Sequence, residues 1–351
     1  MKTSHSSLKI GLLLVVAAMF MAAPVRAVTY SWTNFQSDIA GVAQHTDSNL
    51  VNPWGMAVSP TMGTIWVSDN GTGVSTLYHQ DGTAVSLVVT IPTAARNRGT
   101  GTPTGVVINS TMSFQVTKDG HTGPAFFIFV SEDGAISGWN PTVDPTNAVI
   151  AVDNGTNRGR NSAVYKSATL DVAGNDRFLF VSNFHTGQVE TYDGNFHQVT
   201  PNGFVDPNLP EGYAPFGIRN FNGEIFVAYA KQDHARHDDV ACAGCGFINV
   251  FDTSGNFLRR LVSGGHLNAP WGLTMVGGHH WVGNFGDGLI NVYNPMTGAF
   301  IETLKRADGT TPLQFDGLWD LLPAQAGGGV FFTAGIADEQ HGLFGIITAN
   351  P

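Results

Sequence analysis

The feature that most constrains this chain is a repeat, in which a turn leads through a glycine into an apolar strand. A short motif that recurs along a chain is typical of folds built from one supersecondary unit, so the repeat decides the fold class. The three clearest copies lie at residues 52–55, 214–217 and 269–272. Three looser copies lie at 102–105, around Tyr165 and at 315–317.

Each copy is followed by further strand signals in the same order. A second strand rich in aromatic and β-branched residues comes first, as at residues 65–68, and a third strand with alternating apolar residues follows, as at 290–293. Four strands repeated radially form the blade of a β-propeller, in which the ring protects the sheet edges. We therefore predict an all-β protein that folds as a six-bladed β-propeller. Five or seven blades are the alternatives, because the repeat at Tyr165 is weak.

The last repeat predicts how the ring closes. It has an inner strand at residues 318–322, a second at 330–333 and a third at 343–348, and it lacks a fourth. The strand pattern at residues 30–35 belongs to no other repeat. We expect this N-terminal strand to complete the last blade, so that the two ends of the chain pair in one sheet.

The N-terminus has the pattern of a secretory signal peptide. Lys2 and Lys9 precede an uncharged run at residues 10–21, and the small residues Val25 and Ala27 fit a cleavage site. The run is short for a membrane span, although an uncleaved anchor is the alternative. We expect residues 1–27 to be removed and residues 28–351 to form a single propeller domain, secreted or periplasmic, monomeric and without a membrane span.

Composition narrows the range of partners. Loss of residues 1–27 lowers the 17 Lys and Arg to 14 against 27 Asp and Glu, a net charge near −13. A chain this acidic repels phosphate backbones, which argues against a nucleic acid partner. Only 13% of residues are charged and 43 are Gly, a composition typical of a β protein with many tight turns.

Four longer strings carry a resemblance to a known family. Residues 50–55, 212–217, 284–288 and 341–345 resemble a family of secreted conserved-hypothetical bacterial proteins, some of which carry PEP-CTERM sorting tails. The resemblance covers nearly the whole of residues 28–351. It implies a six-bladed propeller similar in shape to the NHL and gluconolactonase-like groups, and it brings no established activity. Since no apolar tail precedes Pro351, it also implies release of the protein rather than sorting to a surface.

Aligning the repeats predicts one ring of side chains beside the central channel. Aromatic rings around such a mouth can stack on a sugar or another planar ligand, and they can equally fill the channel as core. Most members of the ring are aromatic, and one is an acid. The aligned positions are Trp54, Thr104, Tyr165, Phe216, Trp271 and Asp316.

A second aligned ring follows the second strands and is rich in side-chain oxygens. Such oxygens are the ligands that Ca²⁺ prefers, and strand ends around one axis can supply several of them. The alternative is that Asp and Asn stand there because turns favour them. The candidate metal ligands are Asp69, Glu132, Asn183 and Asn284, together with Asp316.

A third candidate lies in one loop of the fourth repeat. His234, His237, Cys242 and Cys245 fall within twelve residues and form a candidate Zn²⁺ set. In an exported chain, two cysteines three residues apart more readily form a disulfide, so we predict a Cys242–Cys245 bridge that staples a loop over the channel mouth. Free thiols are the remaining alternative.

Three hypotheses of function follow. The first is a binding module that holds a small molecule, glycan or protein at the loop face of the channel. The second is a metal-dependent hydrolase or lyase that uses Ca²⁺ or Zn²⁺ at the same mouth. The third is a structural component of the envelope or matrix. The histidines His121, His279 and His280 fall in turns of the opposite face, where we expect them to be solvated.

Overall fold

The structure is a computed structural model and describes residues 28–94, 99–155, 163–171, 177–199 and 203–351. The predicted signal peptide, residues 1–27, lies outside the described residues. The described chain consists of strands and turns, with one short 3-10 helix at Gln325–Gly327. None of its helices has the length and apolar character needed to span a bilayer.

The strands follow one another in the order that the six repeats predict. In chain order they are β1 (Tyr30–Ser37), β2 (His45–Thr46), β3 (Pro53–Val58), β4 (Ile65–Asp69), β5 (Val74–Tyr78), β6 (Val89–Thr90), β7 (Pro103–Ile108), β8 (Gln115–Lys118), β9 (His121–Pro124), β10 (Phe127–Ser131), β11 (Ala135–Trp139), β12 (Val149–Asp153), β13 (Tyr165–Asp171), β14 (Phe178–Asn183), β15 (Gln188–Asp193), β16 (Tyr213–Phe221), β17 (Glu224–Lys231), β18 (Phe247–Asp252), β19 (Phe257–Ser263), β20 (Pro270–Val276), β21 (His279–Asn284), β22 (Ile290–Tyr293), β23 (Phe300–Thr303), β24 (Leu318–Pro323), β25 (Val330–Ala334) and β26 (Leu343–Ala349).

Six antiparallel sheets form the blades, which confirms the six-bladed propeller. Blade 1 contains β3–β6, blade 2 contains β7, β10, β11 and β12, and blade 3 contains β13–β15. Blade 4 contains β16–β19 and blade 5 contains β20–β23. Blade 6 contains β24, β25, β26 and β1, with the short β2 beside β1.

Each blade packs face to face on the next, and a hydrophobic cluster lies at each of the six junctions. Successive residues of a strand point to opposite faces of its sheet, so neighbouring residues serve different junctions. In β4, Trp66 packs toward blade 2, where it stacks on Phe127 with ring centroids 3.9 Å apart, while Ile65 and Val67 pack toward blade 6. The second strands are therefore apolar on both faces.

The recurring glycine has a steric reason. In blade 1, a Cβ on Gly55 would lie 2.7 Å from the carbonyl oxygen of Thr104 in blade 2. In blade 5, a Cβ on Gly272 would lie 2.5 Å from the carbonyl oxygen of Trp319 in blade 6. The first strands of neighbouring blades thus approach so closely around the axis that a side chain at this position has no room.

The ring closes between the two ends of the described chain. β1 runs antiparallel to β26, with Tyr30 opposite Ala349 and Ser37 opposite Leu343. The Ser37 hydroxyl also donates a hydrogen bond to the carbonyl of Gly342 at 2.8 Å. The prediction that the N-terminal strand completes the last blade is confirmed.

Blade 2 carries an insertion between its first and second strands. The connection from β7 to β10 contains the extra hairpin of β8 and β9, whereas the equivalent connections in the other blades span at most six residues. Asn109 holds the base of the insertion, since its Nδ2 donates to the carbonyls of Ser113 at 3.0 Å and Ala125 at 2.8 Å. The hairpin stands on the face opposite the loops that lead into the first strands.

One histidine lies in the core, contrary to the sequence prediction. His280 was expected in a solvated turn, but it lies in β21 and is fully buried. Phe221 and Phe226 contact its ring edge-on, at centroid distances of 5.8 and 5.0 Å, and neither ring nitrogen has a hydrogen-bond partner among the described residues. Burial lowers the pKa of His280 to about 3.

We expect ring closure to be needed for stability. Deletion of residues 28–36 exposes the edge of β26 and should lower the melting temperature by many degrees or give insoluble protein. Phe35 is 8% exposed and packs on Phe344, so Phe35→Ala should reduce the free energy of unfolding by about 3–5 kcal/mol. The exposed Val28→Ala is the control. Circular dichroism measures the melting temperature of each protein. A deletion variant that melts at the same temperature as the parent would contradict this topology.

His280 should make the fold sensitive to acid. Its folded pKa of about 3 lies below the ordinary value of 6.5, so the unfolded chain takes up a proton first and stability falls as the pH drops below about 6.5. When the pH is lowered from 7.5 to 4.5, the free energy of unfolding of the parent should fall by about 2–3 kcal/mol more than that of His280→Leu. Urea unfolding at both pH values measures it. His279→Leu, at the neighbouring exposed position of β21, is the control variant.

Candidate functional site

The candidate site lies on the loop face, which we define as the end of the channel where chain segments enter the first strands and where the second strands connect to the third. Loops from all six blades meet at this face. The site has a layer of aromatic rings below and a layer of charged side chains above.

Aromatic side chains close the channel beneath the site. Trp54 stacks on Trp319 with ring centroids 3.5 Å apart, and Phe285 stacks on the Trp319 ring at 4.0 Å. Trp271 and Phe216 contact Trp319 edge-on. We call this group the aromatic plug; of its members only Phe285 is more than 4% exposed. The four buried rings therefore act as core, and they are not available to stack on a ligand.

A lysine lies directly on the plug. Lys166 follows the first residue of β13 and is 1% exposed, and its ammonium lies over the ring of Trp54 at 5.2 Å. Its Nζ donates hydrogen bonds to Glu132 Oε1 at 2.5 Å and to Asp238 Oδ1 at 3.2 Å. Burial disfavours the ammonium, but the two carboxylates outweigh that effect and raise the pKa of Lys166. The lysine is a buried permanent cation.

Acidic side chains surround this lysine in excess. Glu132 comes from blade 2, Asp238 and Asp239 from the loop after β17 in blade 4, and Glu339 from the loop after β25 in blade 6. Burial raises the pKa of Asp239 to about 7, and it also raises the pKa of Glu339. The carboxylates Glu132 and Asp238 add to the rise for Glu339. We call these four acids and Lys166 the mouth cluster.

His237 completes the upper edge of the cluster. Its Nδ1 lies 2.8 Å from Asp238 Oδ1, and this hydrogen bond raises the pKa of His237 while lowering that of Asp238 to about 2. Ligand atoms of Glu132, His237 and Asp238 all lie within 4.8 Å of one another. These three residues could hold a metal ion, although the Lys166 ammonium already contacts both carboxylates.

The backbone around Glu339 is in an unusual conformation. Ala337, Asp338 and Glu339 all have positive φ, between 51° and 62°, a region that L-residues disfavour. Two contacts hold the turn: the Ala337 N–H donates to Asp316 Oδ2 at 2.8 Å, and Asn52 Nδ2 donates to Glu339 Oε2 at 2.6 Å. The other end of the Asn52 amide accepts from the indole N–H of Trp319, which links Glu339 to the plug.

The structure separates the residues of the predicted channel ring. Trp54, Phe216 and Trp271 lie together in the plug, but two positions need correction. Tyr165 pairs with Asn183 as Pro53 pairs with Asp69, so the equivalent of Trp54 is Lys166. Tyr165 itself is buried between blades 2 and 3, with its hydroxyl bonded to Glu190 and Tyr192.

The second correction concerns blade 6. Counting the strand pairs in the same way places Trp319 at the position predicted for Asp316. Asp316 is exposed, and it caps the turn at Ala337.

The predicted oxygen ring is not one site. Glu132 faces the channel, whereas Asp69 is buried inside blade 1 and accepts from the Thr76 N–H at 2.9 Å. Asn183 donates to Glu190 at 2.7 Å, and Asn284 donates to Asp287 at 3.1 Å, in each case within its own blade. Glu132 lies one residue beyond the equivalent position, and the register of the strands therefore turns it toward the axis.

The loop with the predicted cysteines overhangs the mouth. Cys242 and Cys245 lie at disulfide distance, with Cα atoms 5.3 Å apart, as predicted. A bridge between them excludes the alternative zinc set with His234 and His237, and His237 contacts Asp238 instead. His234 is exposed. Gln232 fixes the base of this loop on blade 3 by donating to the Phe184 carbonyl at 2.5 Å.

Sequence reasoning missed most of the mouth cluster. Lys166, Asp238, Asp239 and Glu339 carry no motif, and the last three lie in loops of unrelated sequence. One signal was available for Lys166, because a charged residue in an otherwise apolar first strand is unusual. Counting the residue pairs between the first and second strands from the turn that joins them would have placed Lys166 at the axis.

Comparison with known proteins shows the fold more clearly than the function. No family model matches the chain. Three solved propellers are similar in shape: virginiamycin B lyase of Staphylococcus aureus (TM-score 0.52, 12% identity, 92% of this chain and 99% of that chain), a gluconolactonase of Xanthomonas campestris (0.53, 12%, 86% and 87%) and PQQ-bound aldose sugar dehydrogenase of Streptomyces coelicolor (0.56, 12%, 93% and 100%). At 12% identity the likeness shows the fold alone, and the gluconolactonase-like shape is confirmed.

Relatives by sequence are viral, whereas the sequence resemblance pointed to a bacterial family. The uncharacterized protein R648 of Acanthamoeba polyphaga mimivirus is 30% identical over 338 residues, which cover 92% of this chain and 82% of that protein. The uncharacterized protein L690 of the same virus is 30% identical over 341 residues, which cover 93% and 88%. Identity at this level extends over more than four fifths of this chain and of each relative. The chain therefore belongs to the same family as these two mimivirus proteins.

Proposed function

We propose that this protein is a binding propeller whose ligand site is the mouth cluster, and that the ligand is a small cation. The observation that carries the proposal is convergence: polar side chains from five of the six blades meet above a closed channel. They are Asn52 and Asn70 from blade 1, Glu132 from blade 2, Lys166 from blade 3, Asp238 and Asp239 from blade 4, and Glu339 from blade 6. Convergent polar groups with shifted pKa values are typical of ligand sites.

The charge of the cluster favours a cation. Lys166 is shared between Glu132 and Asp238, and no basic side chain among the described residues bonds to Asp239 or Glu339. Burial raises the pKa of both acids, neighbouring carboxylates add to the rise, and Lys166 offsets only part of it, so their negative charge is incompletely compensated in the free protein. A bound ammonium or metal ion would compensate it and would release a proton from Asp239.

The site is also held in place before any ligand arrives. Glu339 sits on the left-handed turn that Asp316 and Asn52 fix, and Asn70 donates to Glu132 at 2.8 Å. A side chain that is already positioned loses little further freedom on binding, so such supports increase affinity. Backbone strain of this kind is often found at ligand sites.

A second candidate function is a metal-dependent hydrolase or lyase. The observation in its favour is the cluster of Glu132, His237 and Asp238, whose ligand atoms lie within 4.8 Å of one another. A metal ion there would have to move the Lys166 ammonium away from both carboxylates. Asp239, with a pKa of about 7, would be suited to donate a proton at neutral pH. A structural role in the envelope stays a prediction, as does export through the signal peptide at residues 1–27.

Isothermal titration with putrescine, CaCl₂ and ZnCl₂ tests both candidates. We expect a cation to bind about tenfold tighter at pH 8 than at pH 6, because a carboxyl with a pKa of about 7 is mostly protonated at the lower pH and mostly ionised at the higher. Asp239→Asn should remove this pH dependence, and Glu339→Gln should weaken binding. The exposed Asp119→Asn, on the opposite face, is the matched control.

The outcomes separate the two candidates. Binding of putrescine that Asp239→Asn weakens supports the cation site. Binding of Zn²⁺ or Ca²⁺ alone, lost in His237→Ala and Glu132→Gln, favours the metal enzyme. If no probe binds at pH 8, or if Asp119→Asn reduces binding equally, the mouth cluster is not a cation site.

Lys166 should be essential for the stability of the mouth cluster. Lys166→Met leaves Glu132 nearly buried without its cation, and the free energy of unfolding should fall by about 3–5 kcal/mol. The double variant Lys166→Met/Glu132→Gln should recover part of this loss, since it removes the uncompensated charge. Lys118→Met, which breaks an ion pair at a 42% exposed lysine, is the control and should change the melting temperature little. Chemical unfolding of the parent, Lys166→Met, Glu132→Gln and the double variant measures the coupling, and additive effects at Lys166 and Glu132 would contradict it.

A further inference from the structure

A cavity lies on the face opposite the loop face, between blades 1 and 2 and far from the mouth cluster. It is a cleft of about 530 Å³. Its floor is formed by Phe127 and Trp139, which are 2% and 4% exposed and pack on Trp66. Its walls include Pro60 and Met62 from the first turn of blade 1 and Met112 and Phe126 from the insertion in blade 2.

The cleft depends on a feature that only blade 2 has among the described parts of the six blades. The connection between β7 and β10, with its extra hairpin, raises a wall beside the short turn of blade 1. Asn109 ties the two ends of this connection together through Ser113 and Ala125. The concave shape is thus part of the rigid framework.

Among the residues that the structure describes, no charged side chain lines the cleft. Several polar groups that border it are occupied within the protein: Asn109 Oδ1 accepts from the N–H and hydroxyl of Thr111, and the Trp139 indole donates to the Pro145 carbonyl. Ser59 Oγ accepts from the N–H of Met62. A ligand therefore meets an apolar surface and few free hydrogen-bonding groups.

The rim leaves large apolar side chains in water. Met62 is 62% exposed, Met112 75% and Phe126 42%. Removal of such surface from water favours association, and flexible methionines adapt to ligands of different shape. The same surface on a flat face would have no defined occupant, but here it surrounds a cleft with a volume typical of small-molecule sites.

We propose that this cleft is a second binding site, for an uncharged and largely apolar small molecule. The uncharged lining argues against an ionic amphiphile, because a buried charge would find no partner there. The site is independent of the mouth cluster, which is polar and lies at the other end of the propeller. The protein would then bind two ligands of opposite chemical character on its two faces.

Titration with N-phenyl-1-naphthylamine, a neutral apolar dye that fluoresces strongly in apolar surroundings, tests the proposal on the purified protein. We expect saturable binding of one dye per chain. Met112→Asp and Met62→Asp place a charge at the rim and should weaken binding at least about tenfold, which corresponds to about 1.4 kcal/mol. Met112→Leu should bind like the parent. Met296→Asp is the matched control, since Met296 is 71% exposed in a turn of blade 5 on the same face.

Three results would overturn the proposal. The first is the absence of saturable dye binding to the parent. The second is an equal loss of binding in Met296→Asp, which would show a general effect of charge on the surface. The third is a dimer, seen by light scattering, that Met112→Asp dissociates, because the cleft would then be covered by a second copy of the chain.

Discussion

The close approach of the first strands around the axis is the constraint on which the rest of the molecule depends. At Gly55 and Gly272 the neighbouring backbone leaves no room for a Cβ, so the first strands lie close together around the axis. Trp54 and Trp271 directly precede these glycines, Trp319 holds the equivalent position in blade 6, and the three rings close the channel. A ligand therefore cannot pass through the propeller along its axis.

The same constraint explains why one blade differs from the others. Lys166 occupies a position that is aromatic in four of the six blades, and its ammonium emerges at the top of the plug. A buried ammonium is tolerated only when it is paired, and the pairing draws Glu132 and Asp238 from two other blades. The acids that remain, Asp239 and Glu339, then lie close to negative charge without a cation of their own. The chemistry of the mouth thus follows from a single lysine in a ring of aromatic residues.

How much was predictable from the sequence depended on whether a residue belonged to the repeat. The blades, their number and the pairing of β1 with β26 were predicted, because strand and turn signals recur in every copy. The site was predicted only in part. A shift of one residue at Tyr165 exchanges a buried position between blades for the axis, and turn motifs do not determine that register. Asp238 and Glu339 come from loops that share no pattern, and the burial of His280 depends on rings from the neighbouring blade.

The pairing of β1 with β26 also has a consequence for the order of events during folding. These strands are separated by roughly the whole length of the domain, so the last sheet cannot form until the final strand is available. Contacts of such large sequence separation form slowly, because much chain entropy is lost before they are made. Until then β1 lacks its partner strand β26 and the last blade lacks its outer strand, so both have unpaired backbone groups. The interval between synthesis and closure is therefore when this chain is most exposed to strand exchange with a second copy.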